Sequence, residues 1–242
     1  MLEIIIFFLS IIHSIFGIGL LAIGTPLLLI LSYDFLTILK ILLPCSILIS
    51  AFQIFKIKSI INSDKKIILK STPYVFLGSL IIYFFSSNIN FKLLIGFSIL
   101  IVLFLKIFLK KEINLLINKN KILLIFFSGF FHGLTNTGGS LISLIFQGLK
   151  KNKYEIQGCI AYTYFLYAII QYFLLNFFFQ RLLLDYNSIN LLIFTCTGYL
   201  FGNLIFKKIK FNIFLKILDL IIFVSASYLI FSELRAIFFL TL

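Results

Sequence analysis

Apolar runs of 20 or more residues recur along the whole chain, and each can cross the roughly 30 Å hydrocarbon core of a membrane. Short polar links separate eight such segments, four in each half, at 4–31, 36–55, 67–87, 91–110, 122–149, 156–180, 187–206 and 211–232. Charged residues make up only 12% of the chain, about half the share in a soluble domain. The sequence therefore predicts an all-α polytopic membrane protein with almost no extramembrane domain.

The first and fifth segments share a histidine and a glycine at matched positions. A shift of 119 residues places His13 on His132 and Gly19 on Gly138. Further matches at shifts of 118 and 120 residues pair Gln53 with Gln171 and Gly78 with Gly198. This self-similarity predicts two transmembrane repeats, 1–118 and 119–242, that form one membrane domain.

Both of these segments are interrupted. Gly17, Gly19, Gly24 and Pro26 interrupt the first, and the stretch 135–140 interrupts the fifth. Glycine and proline disfavour continuous helix, and non-helical backbone at membrane depth is tolerated only inside protein or beside water. Each half is therefore expected to begin with a broken helix whose pieces are too short to span the membrane singly.

The lysines test how many segments cross. Four links carry 16 of the 21 basic residues: those after segments two, four, five and seven. If every segment crossed once, the first two clusters would face the side opposite to the last two, against the positive-inside rule. If segments one and five each enter and leave on the same side, all four clusters become cytoplasmic.

Three full crossings in each half are an odd number, so the second half is predicted to be inverted relative to the first. The predicted fold is two inverted repeats, each made of one broken or re-entrant segment and three transmembrane helices. The protein is expected in the cytoplasmic membrane of a bacterium, with both termini on the outer side. Because the start lacks a basic n-region, the first segment is expected to remain in the mature protein. Lysine counting leaves open whether the broken segments are re-entrant loops or pairs of short tilted crossings.

Inverted repeats bring their broken segments together near the midplane, where transporters of this kind bind substrate. A half-helix N-terminus there offers free N–H groups and a partial positive charge, which favour an anion. The expected binding residues are Gly17 and Gly19 in the first break and Thr135, Asn136, Thr137, Gly138, Gly139 and Ser140 in the second. The alternative is that these small residues only allow close helix packing.

His13 and His132 are the only histidines, and they are expected to face each other across the pseudo-twofold axis. An imidazole titrates near neutral pH, so either ring could carry a coupling proton or complete an anion site. The alternative is a neutral histidine bonded to a backbone carbonyl freed by the break. Gln171 shares a helix face with Tyr164 and Tyr167, and that face predicts either a cavity lining or interhelical hydrogen bonds.

Other classes of function find little support in the chain. It has no GxSxG, HExxH or GxxxxGK[ST] motif, so no enzyme is predicted. Cys45, Cys159 and Cys196 lie inside apolar segments without metal-ligand spacing, so we expect buried thiols and no metal or cofactor. The net charge of +13 follows from the lysine-rich links and does not indicate nucleic-acid binding.

Two glycine-rich breaks carry a resemblance to a known family. The stretch 17–26, with Gly17-Ile18-Gly19 and Pro26, and the stretch 129–140, with Asn136 to Ser140, resemble the duplicated breaks of the TauE/SafE permeases. The resemblance covers essentially the whole chain and its four-plus-four plan. Leu20 and Leu21 replace later glycines of the first copy, and no proline follows the second. The resemblance implies transport of small anions such as sulfite, sulfonates, sulfoacetate or related carboxylates.

The predicted function is therefore secondary transport of small anions by alternating access, with proton coupling through the histidines as an option. Family resemblance favours export. The alternatives are a passive anion channel on the same scaffold and a non-transporting accessory subunit of another membrane complex. The expected partners are a small anionic substrate and the lipid bilayer, not nucleic acid, and the sequence leaves a homo-oligomer open.

Overall fold

A computed structural model describes residues 1–56, 62–85, 89–108, 112–149, 152–179, 186–217, 220, 223–224, 227 and 231. All elements in these ranges are helical and none is a strand, which confirms the predicted all-α class. Several residues of the lysine argument lie outside them: Lys58, Lys110, Lys111, Lys150, Lys151, Arg181 and Arg235. The division into two repeats and their inversion stay predictions.

Most helices follow the predicted segments, but α4 lies largely in the predicted link before residue 67, and α7 begins ten residues before the predicted segment 122–149 and is kinked at Asn120. In the first half they are α1 Leu2–Phe16, a π-helical turn Gly19–Ile23, α2 Gly24–Ile30, α3 Phe35–Lys56, α4 Asn62–Lys70, α5 Thr72–Phe85 and α6 Phe91–Phe108. In the second half they are α7 Glu112–Thr135, α8 Gly139–Leu149, α9 Lys153–Phe179 and α10 Tyr186–Lys208. Residues 211–217 are helical again.

Both predicted breaks are present, but the first is shorter than expected. Only Gly17 and Ile18 lie outside helix there, because the chain resumes as a π-helical turn at Gly19. Gly24 and Pro26, which were expected to interrupt the segment, belong to the first turn of α2. A proline is tolerated in that turn because its missing N–H has little helical bonding to lose.

Glycines set the closest helix crossings. Gly78 of α5 lies against the backbone of α7 at Gly133, and a Cβ at position 78 would overlap that backbone. Gly198 of α10 lies against α1, where a Cβ would sit 2.6 Å from Phe7 O and 2.7 Å from the Ser10 Cβ. Small residues let helix backbones approach closely where lipid supplies no hydrophobic drive. The matched glycines Gly78 and Gly198 thus each allow a close approach of two helices. Helices α3 and α9 also pack against each other.

The surface is that of a membrane protein. Among the described residues, three helices are long and apolar enough to cross a bilayer singly: Phe35–Lys56, Lys153–Phe178 and Ile189–Lys208. Large apolar side chains also point outward, with Phe55, Phe173 and Phe177 each more than half exposed. An apolar exterior of this extent indicates contact with lipid.

Basic side chains join helix ends at one face of the bundle. Lys153 Nζ, at the start of α9, donates to Phe206 O at 2.8 Å and Ile209 O at 2.6 Å, near the end of α10. Lys56 Nζ, at the end of α3, donates to the Asn203 side chain on the same part of α10. These contacts gather three lysine-bearing ends together, as the positive-inside argument requires.

The α5–α7 crossing can be tested by adding one methyl group. Gly78→Ala forces the two backbones apart, and overpacking of this kind costs about 1–3 kcal/mol. We expect a lower melting temperature for the detergent-solubilised protein. Leu77→Ala is the matched control, because Leu77 is 51% exposed on the same helix and its removal should leave the melting temperature nearly unchanged. Equal melting temperatures for wild type and Gly78→Ala would show that the crossing is not tight.

Candidate functional site

The first break is closed by hydrogen bonds to one carbonyl. Gly17 has a left-handed backbone, with φ of 80°, and its N–H donates to His13 O at 2.7 Å. Gln53 of α3 donates from Nε2 to the same oxygen at 3.1 Å. Gly19 follows so closely that any side chain there would overlap the backbone of His13. The carbonyl exposed by the break therefore receives two donors from within the protein.

The second break is closed in the same way by the matched residues. Asn136, 119 residues after Gly17, also has a left-handed backbone, with φ of 61°, and its N–H donates to His132 O at 2.8 Å. Gln171 of α9 donates from Nε2 to that oxygen at 3.2 Å. Gly138, like Gly19, lies against the backbone of its histidine. Asparagine tolerates this conformation better than most residues with a side chain.

The two imidazoles differ in their partners. Both are fully buried. His13 Nδ1 accepts from the Leu20 N–H at 3.2 Å, and its Nε2 lies 3.3 Å from Ser50 Oγ. The partner of His13 at the break is thus a backbone amide, not the carbonyl that the sequence suggested as the alternative. Both ring nitrogens of His13 are therefore engaged within the protein.

Neither ring nitrogen of His132 has a partner at full hydrogen-bond geometry. The Gln171 side chain lies beside the ring, where its amide nitrogen donates to the His132 carbonyl and its Oε1 is the atom that can accept from a ring N–H. Tyr164 and Tyr167 pack on the imidazole with ring centroids 5.3 and 5.1 Å away. Buried polar atoms without partners cost free energy and call for an explanation. The predicted polar face of α9 thus both lines this site and hydrogen-bonds across helices.

Tyr164 packs against both histidines. Its ring centroid lies 5.8 Å from that of His13 and 5.3 Å from that of His132. The expectation that the two imidazoles face each other stays a prediction. Its hydroxyl is buried and faces the backbone of Gly139, the first residue of α8, without a partner at full hydrogen-bond geometry. A side chain at position 139 would overlap the tyrosine, so the glycine makes room for it.

The remaining predicted residues build the turn between α7 and α8. Thr135 Oγ1 lies 2.8 Å from Thr137 Oγ1, and the Ser140 hydroxyl donates to Thr137 O at 2.9 Å. Asn136 Nδ2 donates to Thr25 Oγ1 of α2 at 2.9 Å, which links the two breaks. Asn136 Oδ1 has no partner. The threonine and serine hydroxyls thus hold the turn, while the asparagine keeps a free acceptor.

Together these groups form a small polar site at the start of α8. The His132 ring, the Tyr164 hydroxyl and Asn136 Oδ1 all lack partners, and all three residues are at most 1% exposed. Helix α8 has 11 residues, and its first-turn amides carry the partial positive charge of a helix N-terminus. Such a site can bind a small anion without a charged side chain. We name the start of α8 with His132, Asn136 and Tyr164 the α8 site.

Two of the three cysteine thiols are buried as expected. Cys45 and Cys159 are buried, but Cys196 is partly exposed, so the expectation of three buried thiols is wrong at that position. Within the described part of the chain, no group of three or more His, Cys, Asp or Glu residues could hold a metal ion.

Comparison with known proteins gives one match. The family model described as Sulfite exporter TauE/SafE matches residues 2–229, which is nearly the full length. No curated protein and no solved structure matches the chain. The match spans both breaks and all the helices α1 to α10.

The backbone at Asn136 can be separated from its side chain. Asn136→Gly keeps the left-handed turn but loses the hydrogen bond to Thr25. Asn136→Ala loses the same bond and also lacks the tolerance of asparagine for the left-handed conformation, which costs a residue with a Cβ about 1–2 kcal/mol. We therefore expect melting temperatures in the order wild type, Asn136→Gly, Asn136→Ala. If Asn136→Ala were as stable as Asn136→Gly, the turn would not depend on its left-handed residue.

Proposed function

Since the chain belongs to the sulfite exporter TauE/SafE family, we propose that it is a secondary transporter of a small sulfur-containing or carboxylate anion. Members are multi-pass membrane permeases of sulfur anions, and a transport role fits the non-enzymatic prediction. The proposed cycle is alternating access, in which the two broken segments meet at one central site. The halves are proposed to be inverted, with the lysine-rich face in the cytoplasm and both termini outside.

One observation carries the assignment of the substrate site: unpartnered buried polar groups converge on the α8 N-terminus. The oxygens of a sulfite, sulfonate or carboxylate would accept from the Tyr164 hydroxyl, a protonated His132 nitrogen and first-turn amides of α8. Asn136 Oδ1 can only accept, so it suits a water or a protonated ligand oxygen. A bound anion would therefore satisfy the groups that the protein leaves unpaired.

The same arrangement supports coupling to protons through His132. An anion beside the ring favours the imidazolium, and by linkage a protonated ring favours anion binding. Proton and anion would then bind and leave together. His13 is less suited to this role because a backbone amide and Ser50 already engage its ring.

Anion flux into liposomes tests the site. Purified protein should take up sulfite, an organosulfonate or a short carboxylate, and His132→Ala and Tyr164→Phe should each slow uptake at least tenfold. The reason is that a hydrogen bond to a charged group contributes about 1.5–3 kcal/mol. Thr197→Val is the control, because Thr197 is exposed on α10 and donates only to its own helix. If both variants transported like wild type, the site would be wrongly assigned.

A pH gradient tests the coupling. We expect an imposed gradient to drive accumulation of the transported anion in wild type, and His132→Gln to abolish that accumulation because a neutral amide cannot carry the proton. Radiolabelled anion retained in the liposomes is the measurement. Flux that never accumulates anion, whatever the pH difference, would favour a passive channel instead. The absence of flux for every tested anion would favour the accessory-subunit alternative.

A further inference from the structure

A second polar feature lies next to the α8 site. A partly open cavity of about 30 Å³ is lined by α3, α5, α7 and α9, with Leu39, Ser79, Gly133 and Gln171 among its lining residues. A volume of this size holds about two water molecules, given roughly 10–15 Å³ for each. His132, Asn136 and Tyr164 of the α8 site are not among the lining residues of this cavity.

The cavity has two polar atoms that lack partners. Ser79 Oγ and Gln171 Oε1 are buried and make no hydrogen bond, and most of the other lining side chains are apolar. The opposite end of the Gln171 amide donates to His132 O at 3.2 Å. One amide group therefore reaches from the cavity to the histidine of the α8 site. Water in the cavity would satisfy both unpaired atoms.

The cavity lies towards the face opposite to Lys56 and Lys153. On α3 it contacts Leu36 at the start of the helix, whereas Lys56 is at the end. On α9 it contacts Phe178 near the end, whereas Lys153 is at the start. Lys40 of α3 and Lys92 at the start of α6 also lie towards this face, which bears none of the four lysine clusters of the links. We call it the lysine-poor face.

The repeat-matched positions in the other half carry polar side chains. The shifts of 118 to 120 residues replace Leu39 by Gln157, Gly133 by Ser14 and Ser79 by Tyr199.

These three residues are joined by hydrogen bonds. Gln157 Nε2 donates to Ser14 O at 2.6 Å, and Ser14 Oγ donates to Tyr199 O at 3.0 Å. Gln53, the match of Gln171, also donates to Ser14 O, at 3.1 Å. Helices α1, α3, α9 and α10 are thus tied together near the lysine-bearing ends.

We propose that the cavity is the hydrated branch of the transport path towards the lysine-poor face, and that the Gln157–Ser14–Tyr199 network is the closed gate of the branch towards the lysine face. Gln171 forms the inner end of the hydrated branch. The branch holds water, and the structure represents the state in which the lysine face is sealed. This inference rests on the proposed transport function. During transport the cavity closes as the network opens.

Matched serine-to-cysteine variants test the two branches. In a chain whose Cys45, Cys159 and Cys196 are replaced by alanine, Ser79→Cys and Ser14→Cys report on the cavity and the gate. Lys66→Cys marks the lysine face. The probe is 2-aminoethyl methanethiosulfonate, added to either face of sealed membrane vesicles. We expect Ser79→Cys to react from the face opposite to that of Lys66→Cys, at least tenfold faster than Ser14→Cys reacts from either face.

Two results would overturn the assignment. One is a Ser79→Cys thiol that does not react, or that reacts only from the lysine face. The other is a Ser14→Cys thiol that reacts as fast as Ser79→Cys. Labelling does not require transport, so the two proposals can fail separately. Labelling as expected with no anion flux would contradict the transport function alone, and anion flux with an unreactive Ser79→Cys would contradict only the assigned path.

The gate has its own variant. Gln157→Leu removes the donor to Ser14 O and places leucine where the other half has Leu39. In this background we expect Ser14→Cys to react at least fivefold faster from the lysine face, and Ser79→Cys to react more slowly from the opposite face. The reason is that loosening one gate shifts the population towards the other open state. Unchanged rates at both thiols would show that the network is not a gate.

Discussion

Two helices that end inside the protein, among buried residues, impose the main constraint on this fold. Each break releases backbone groups where lipid offers no hydrogen bond, so the protein itself must supply the partners. Both breaks use one solution, in which a left-handed residue and a glutamine amide donate to the histidine carbonyl. The glutamines come from α3 and α9, which explains why these two helices pack together between the broken segments.

Closure of the backbone does not make the two halves equivalent. At the first break the π-helical turn supplies the Leu20 N–H to the His13 ring, and Leu20 and Leu21 are fully buried. At the second break Gly139 stands at the position of Leu20, and the space holds the Tyr164 ring. His132 is left without ring partners as a result. The two breaks thus share their backbone closure and differ in the partners of their histidine rings.

The sequence predicted the features that both copies share. The matched histidines, glycines and glutamines, and the breaks they mark, all form corresponding contacts. Pairing Gly17 with Asn136 at the same shift could have predicted the second left-handed turn, because asparagine is the usual substitute for glycine there. The repeat does not identify Tyr164, because its repeat-matched residue is Ser46. The contact of Tyr164 with both histidines depends on how α9 packs. The prediction that Pro26 interrupts the first segment was wrong, because the effect of a proline on a helix depends on where the helix begins.

The central claim is that the α8 site binds a small oxyanion. Selenite has the shape and charge of sulfite, and its selenium gives an anomalous X-ray signal. A crystal structure of the protein with selenite therefore locates the anion directly. We predict an anomalous peak at the N-terminus of α8, with selenite oxygens within hydrogen-bonding distance of the Tyr164 hydroxyl and the His132 ring. A selenite bound only elsewhere, with these groups still unpaired, would contradict the account.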